Sequence, residues 1–540
     1  MTDWYVSAAG AGSKDGTLGN AWDTFANIDW TGSGVQPGDD LYVIGTVTGQ
    51  LTVGGSGSAG LPITIRGDAD GEDAGIITSL TSANPLGAGD DWVVVPGRGT
   101  FAFQTVNLEP TAFYLNGTRL TFVEWTVDAD TTAAVMDTID NSFSVDVDNN
   151  IGYVHLEAEA DPDTLGTASA NWGVTRNYAH GVTMVDKRFI TIKNLTIQKK
   201  TSQGVNITTS GNVLSSDIII DNVTITSCGW NGIYFLNLTG NTYDMTGCAV
   251  RNCTISDCGW GAINTSFGID GLVIENNTCR VCGWHRLANQ IATGGSSATR
   301  YSKNVIIRNN ISTGAISFPY AQSVLAGAED KDQVDGNGIM LDQYSEDSIT
   351  EHNICYDNQG YGIRVSNNSD GHTIRYNTCY GNGKLANDSA NAAGIGAWDY
   401  DGIIIEYNTC YDNENGISLR KQDAGTSIVR HNIVSSSVAY DFRYDDSTVT
   451  AINFNNNCYY NAGVANNFYE INGTTAMDFA SWQTQAGESS SIEADPKFTD
   501  AANADFSLQG NSPCLGLGAV SSPTTRGRGA RYLGRRTRHS

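Results

Sequence analysis

From about residue 189 the chain alternates short apolar stretches with polar turns, and the stretches resemble one another. Lined up they read ITIKNLTI, IIIDNVTI, AVRNCTI, VIENNTC, IIRNNIS, ITEHNIC, TIRYNTC, IIEYNTC and IVRHNIV. Most are followed by a turn and a second stretch opening on Gly-Ile, as at Gly232-Ile233, Gly338-Ile339, Gly362-Ile363, Gly394-Ile395 and Gly416-Ile417. One position carries Asn277, Asn310, Asn353, Asn377, Asn408 and Asn432 in successive copies. Period-two alternation in such short runs predicts β-strands. A unit this small cannot bury its own apolar face, so the copies must stack. Two or three short strands per turn predict an all-β chain built as a parallel β-helix, a solenoid, over residues 181–460.

A charged position just upstream of the Asn reads Lys193, Asp221, Arg251, Glu275, Arg308, Glu351, Arg375, Glu406, Arg430, alternating in sign. Stacked strands lie ~4.8 Å apart, so opposite charges would sit side by side on an outward face. These charges are therefore expected to be structural and leave the catalytic candidates. The Asn residues are expected to stack as an amide ladder. Cys228, Cys258 and Cys282 recur in TSCGW, SDCGW and RVCGW, and Cys279, Cys355, Cys379 and Cys410 share another rung. Such rungs predict mostly free thiols packed in the core, with a disulfide between adjacent rungs left open. Eleven cysteines is an odd number, and their one CxxC, Cys279-Arg280-Val281-Cys282, has no second such pair or histidine pair at zinc spacing. Trp230, Trp260 and Trp284 follow the turn cysteines and read as a packing stack.

Composition narrows the class. With 61 Gly, 10 Pro and 16% charged residues in 540, the chain is no coiled coil or helical bundle. Its 40% apolar content excludes disorder. No run approaches the ~20 apolar residues of a membrane helix, so no membrane insertion is expected. The net charge of −27 is concentrated early, with 24 Asp/Glu against 5 Lys/Arg in residues 1–180. That balance disfavours nucleic acid and anionic membranes as partners. Residues 521–540 reverse it with Arg526, Arg528, Arg531, Arg535, Arg536 and Arg538, and read as a solvated tail.

WYVSAAGAGSKDGTLGNAWDTF, PGDDLYVIG and GSAGLPITIRGDADG resemble the N-terminal cap of bacterial right-handed parallel β-helix proteins of the pectate-lyase-like, carbohydrate-active group. NGIMLDQYSEDSITEHNICYDN is similar to a common coil of that group, and DPKFTDAANADFSLQGNSPCLGLGA to its closing coil. The resemblance assigns 1–100 to the cap and first coils and 461–520 to closing coils. Residues 101–180 break the coil pattern. FYLNGTRLTFVEW and FSVDVDNNIGYVHLEAEADPD read as hairpins, the second turning at Asp148-Asn149-Asn150. They resemble the small β-sandwich inserted in some β-helical glycoside hydrolases. The group includes hydrolases, lyases, epimerases and phage adhesins, so the fold does not settle the chemistry. The resemblance implies a polysaccharide or oligosaccharide partner and an extracellular or virion-associated setting. The start, MTDWYVSAAGAG, shows no signal-peptide pattern.

Overlong copies at 285–303, 313–336 and 384–393 place loops beside one groove. Alternation after each Gly-Ile step turns Met340, Asp342, Arg364, Ser366, Trp398, Ser418 and Arg420 outward, with Asp399 and Lys421 at strand ends. Trp398, Tyr344 and Tyr400 are expected to bind substrate there, since aromatic faces stack on sugar rings. His285 and Arg286 open a long loop and are further binding candidates.

Asp342 and Asp399, two coils apart, would be separated by about 9–10 Å. That leans toward an inverting pair, which needs ~6.5–9.5 Å. The competing reading is elimination or C5 epimerisation at a uronate, using Arg364, Arg420 and Lys421. A third is a non-catalytic adhesin, a trimer if a phage spike. No cofactor is required. Calcium stays open at the Asp146/Asp148 turn and at Glu329-Asp330-Lys331-Asp332 with Asp335, where solvated loops are the competing account.

Overall fold

The computed structural model describes residues 1–10, 14–67, 75–78, 93–104, 112–115, 118–123, 129–146, 151–159, 172–175, 179–211, 215–238, 245–283, 289–294, 301–315, 335–383, 392–445, 452–464, 467–469 and 476–519. The repeats are the coils of a parallel β-helix whose strands form two long parallel sheets. Each coil gives the first sheet two short strands around one left-handed residue. Val273–Glu275 and Thr278–Arg280 flank Asn276 (φ 58°), and Thr373–Arg375 and Thr378–Tyr380 flank Tyr376 (φ 55°). Asn tolerates that backbone readily. Where larger residues occupy it they stack, with His352, Tyr376, Tyr407 and His431 forming a row of rings 5.1, 5.1 and 4.6 Å apart.

The Gly-Ile stretches build the second sheet. Its central strands are β1 (Val205–Thr209), β2 (Ile233–Asn237), β3 (Ile263–Ser266), β4 (Ile291–Gly294), β5 (Ile339–Asp342), β6 (Ile363–Asp370), β7 (Ala393–Asp401), β8 (Asn415–Ala424) and β9 (Tyr440–Asp445). Their opening apolar residues stack in register, with Ile291 on Ile339, Ile363, Ile395 and Ile417 in turn. All five are fully buried. Each such side chain contributes about 1.5–3 kcal/mol, so the stacked column holds the coils together.

The Asn ladder runs inside the turn. Asn277, Asn310, Asn353, Asn377, Asn408 and Asn432 each donate through Nδ2 to the next amide oxygen, at 3.0 to 3.1 Å. Each also donates to a backbone carbonyl of the coil before it, as Asn377 does to Thr350 O at 2.8 Å. The row continues to Asn457 and ends on Glu488, whose Oε1 accepts from Asn457 Nδ2 at 2.8 Å. Glu488 is itself buried and also takes the Trp482 indole N–H, from the closing helix Phe479–Ala486.

The alternating charges pair as expected, Asp221–Arg251 at 3.0 Å, Glu275–Arg308 at 2.6 Å, and Glu351–Arg375 and Glu406–Arg430 at 2.7 Å each. Their partial exposure limits each to about 0–1 kcal/mol, so they act mainly on register. Nine cysteines are free and buried. Burial pushes Cys248 and Cys253 up to about 12, which leaves such thiols unreactive. The single disulfide joins Cys458 of the coil to Cys514 of the closing segment rather than two adjacent repeat rungs. Trp230 and Trp260 pack edge to face at 5.2 Å.

The described strands between 93 and 175 lie outside the two long sheets. A five-stranded sheet contains the antiparallel hairpin Ser142–Asp146 with Ile151–His155, and a three-stranded sheet pairs Ala112–Leu115 with Thr118–Arg119 and Trp172–Thr175. The segment has its own small core of Val95, Val123, Ala133, Met136 and Tyr153. The Asp148 turn, Trp284, His285, Arg286, the loop carboxylates 329–332 and the Arg-rich tail lie outside the described residues.

Candidate active site

The outward face of the second sheet changes character at β5. There Met340 and Arg364, adjacent across β5 and β6, are both only 3 % exposed, although alternation turns them away from the core. Burying a guanidinium is costly unless counter-charges and hydrogen bonds surround it. Tyr361 supplies one wall, with its ring 5.2 Å from the Arg364 guanidinium. Gly396, the next residue in that outward row, makes room for it, since a Cβ there would collide with the Tyr361 ring.

Asp335 supplies counter-charge to Arg364, with Asp342 beside it. Asp342 closes β5, and its Oδ1 accepts from Ser366 Oγ at 3.2 Å and Asn367 Nδ2 at 2.7 Å. Neither bond engages Oδ2. Asp335, just ahead of β5, is half-buried. Its carboxyl is pushed up to about 6, chiefly by burial and then by the negative charge of Asp342, while Arg364 and a 3.4 Å bond from Asn289 Nδ2 pull the other way. Asn289 also accepts from Asn337 Nδ2 at 2.7 Å, and Asn337 Oδ1 accepts the Tyr361 backbone N–H at 2.8 Å. One buried amide chain therefore positions both Asp335 and Tyr361.

Asp399 takes a left-handed backbone (φ 58°) between Trp398 and Tyr400. It lies two coils from Asp342, with the β6 coil and its Asn367 between. Trp398 is half-buried on the groove face, in register with Ser366 on one side and Arg420 on the other. Arg420 is also half-buried, and Lys421 follows it in β8. Tyr344 sits on the bend after β5 (φ 56°), half-buried, with its N–H donated to Asn367 O at 3.0 Å.

Tyr400 requires a correction. It is fully buried in the core, its hydroxyl donating to Gln422 Oε1 at 3.3 Å, and it cannot bind substrate on the groove face. The left-handed residue at Asp399 restarts the inward–outward alternation, and the β6–β7 pairing shifts between Ser366 and Ser369 at the same level. Strand parity carried past that bend gives the wrong side. Asp335, Tyr361 and Asn289 are the residues that strand parity missed. A recurring Asn two places before the strand Ile, at Asn231, Asn289 and Asn337, was the available signal for their supporting row.

No group of three or more His, Cys, Asp or Glu side chains among the described residues is arranged to hold a metal ion. Among those residues no helix is long and apolar enough to cross a membrane.

The sequence matches no curated relative. XylC, solved with xylose, is similar at 15% identity and a TM-score of 0.57, over 92% of this chain and 87% of that one. A structure described as a glycoside hydrolase is similar at 11% identity and a TM-score of 0.50, over 85% of this chain and 96% of that one. At these identities the likeness concerns the fold. The family model "Right handed beta helix region" matches residues 180–322 and 332–481, which hold the Asn ladder and the groove strands alike. The chain is thus a member of the right-handed β-helix family.

Proposed function

We propose that the chain is a polysaccharide-active enzyme that hydrolyses glycosidic bonds in the groove over β5 to β8. Asp335 delivers the proton to the leaving oxygen, and Asp342 is the second carboxylate, acting on water or on the anomeric carbon. The observation that carries this is the placing of Asp335, held by Asn289, with Asp342 and the buried Arg364 guanidinium at the head of β5, where burial and then Asp342 push its carboxyl up to about 6. A general acid works best with a pKa near the working pH, and burial, aided by a neighbouring like charge, raises a carboxyl toward it. Asp399 is the alternative partner for Asp342 at two-coil separation. Similarity of fold to XylC, solved with xylose, and to a structure described as a glycoside hydrolase supports a carbohydrate as the substrate class. The reaction uses the chain's own side chains and needs no cofactor.

Elimination or epimerisation at a uronate is the second reading, favoured by the placement of Arg364 among the carboxylates and of Arg420 beside Trp398. Assay of alginate, pectate, xylan, fucan and neutral glucans and galactans, following reducing ends and 235 nm absorbance together, separates hydrolysis from elimination, and proton NMR of the uronate residues reports epimerisation, which changes neither signal. Reducing ends without absorbance are expected. A parallel rise at 235 nm would transfer the chemistry to the basic residues.

A further inference from the structure

The amide row behind the site has a direction, and groups that can only donate impose it. Asn289, Asn337 and Tyr361 occupy one position in successive coils, two residues before Ile291, Ile339 and Ile363, which stack in register. Asn289 and Asn337 are both buried. A backbone N–H donates and never accepts. The Tyr361 N–H reaches Asn337 Oδ1 at 2.8 Å, which turns the Asn337 Nδ2 toward the coil before it. There it donates to Asn289 Oδ1 at 2.7 Å, and the Asn337 backbone N–H reaches the same oxygen at 3.2 Å. Met340 Sδ, an acceptor, lies 3.6 Å from the Asn337 Nδ2 and fits this orientation alone. Two donors thus pin the Asn289 oxygen, and its Nδ2 faces the other way. The coil before it carries Gly261 at this position, in register through Ile263 and Ile291, and supplies no side chain to meet that amide. Among the described residues the acceptor of Asn289 Nδ2 is Asp335 Oδ1, at 3.4 Å.

We propose that Asn289 and Asn337 are positioning residues that hold Asp335 Oδ1 as an acceptor and so confine the Asp335 proton to Oδ2. Their role in turnover rests on Asp335 as the acid of the hydrolase reading, whereas the proton's place belongs to the carboxyl whatever reaction follows. A protonated carboxyl has one good acceptor, its carbonyl oxygen, and one donor, its hydroxyl. An N–H fixed on Oδ1 makes that oxygen the carbonyl, so the acid delivers from Oδ2 without first rotating. Asp342 and Arg364 act on the same carboxyl through charge. The amide row adds direction.

Infrared difference spectra of the full chain between acid and neutral pH read protonated carboxyls directly and need no substrate. Asp335→Asn identifies the Asp335 band by removing it. In Asn289→Leu, which has no donor to offer, that band is expected at higher wavenumber, with its midpoint about one pH unit higher, the scale of one hydrogen bond to a charged group. Asn289→Ala gives the same reading should the Leu variant fail to fold, and circular dichroism shows which variants are folded. Asn337→Asp sets an oxygen against the Asn289 oxygen and turns that amide round, so it is expected to move the band as well. On a substrate from the panel, Asn289→Leu should lower kcat at least tenfold with KM within about twofold, and move the alkaline fall of activity upward with the infrared midpoint. An Asp335 band unmoved in folded Asn289 variants, or no band lost in Asp335→Asn, would overturn the proposal. A moved band with turnover and pH profile unchanged would uphold the proton's place and remove Asp335 from the acid's role instead.

Discussion

Replacing Asn377 with Leu removes a ladder rung while keeping the number and branching of the side-chain heavy atoms, so the effect reads the hydrogen bonds rather than a cavity. Asn377 is fully buried. Its Oδ1 accepts from Asn353 N at 2.9 Å and Asn353 Nδ2 at 3.0 Å, and its Nδ2 donates to Thr350 O and Asn408 Oδ1. With Leu, the buried Asn353 backbone N–H loses its partner, and Asn353 Nδ2 keeps only its bond to Ile307 O. Two orphaned donors at ~1–3 kcal/mol each give a loss of about 2–6 kcal/mol. Arg375→Ala in the same coil breaks a partly exposed ion pair worth ~0–1 kcal/mol. Urea denaturation of both variants, with hydrogen exchange at the Asn353 amide, measures the contrast. The Asn variant should unfold at clearly lower urea and expose that amide first. A shift no larger than that of the Arg variant would refute the ladder as the source of coil stability.

Two further outcomes follow from the same packing. Gly396→Ala should displace Tyr361 from its place under Arg364 and cut turnover at least tenfold while the thermal midpoint moves little; unchanged turnover would separate Tyr361 from the site. Asp370 stacks between Glu346 and Asp401, and burial followed by Asp401 and Glu346 raises its carboxyl to about 6. A raised carboxyl favours the fold only while protonated, so its contribution is present below pH ~4 and lost as pH rises through about 6. Asp370→Asn should therefore raise the thermal midpoint at pH 7.5 and lose that advantage by pH 4.5. An advantage that does not vary with pH would contradict the repulsion.

The coils were legible because every feature of one rung recurs in the next. Asn377 alone says nothing, but Asn353, Asn377 and Asn408 at one level require a row of amides, and alternation from Glu351 to Arg375 to Glu406 requires neighbours in register. The site was legible only up to the bend. Asp342, Arg364, Trp398 and Arg420 fall on straight strand and lie on the face that alternation assigns. Tyr400 follows the left-handed Asp399, and nothing local in Trp-Asp-Tyr-Asp marks that turn. Asp335 reads as part of a solvated loop because its burial comes from Asn289, 46 residues earlier, and its charge environment from the next strand. Solenoid sequence reports what repeats, whereas an active site is where the repeat is broken.

The central claim is most directly tested by the pH dependence of turnover, once the panel has given a substrate, for the unsubstituted chain beside Asp335→Asn, Asp342→Asn and Asp399→Asn. The account expects activity to fall as pH rises through about 6, where Asp335 loses its proton, and expects Asp335→Asn to lose that limb along with at least ~100-fold of the rate. Asp342→Asn should be comparably inactive. Full turnover with the same basic limb in Asp335→Asn, together with loss of activity in Asp399→Asn, would contradict it and make Asp342 and Asp399 the working pair.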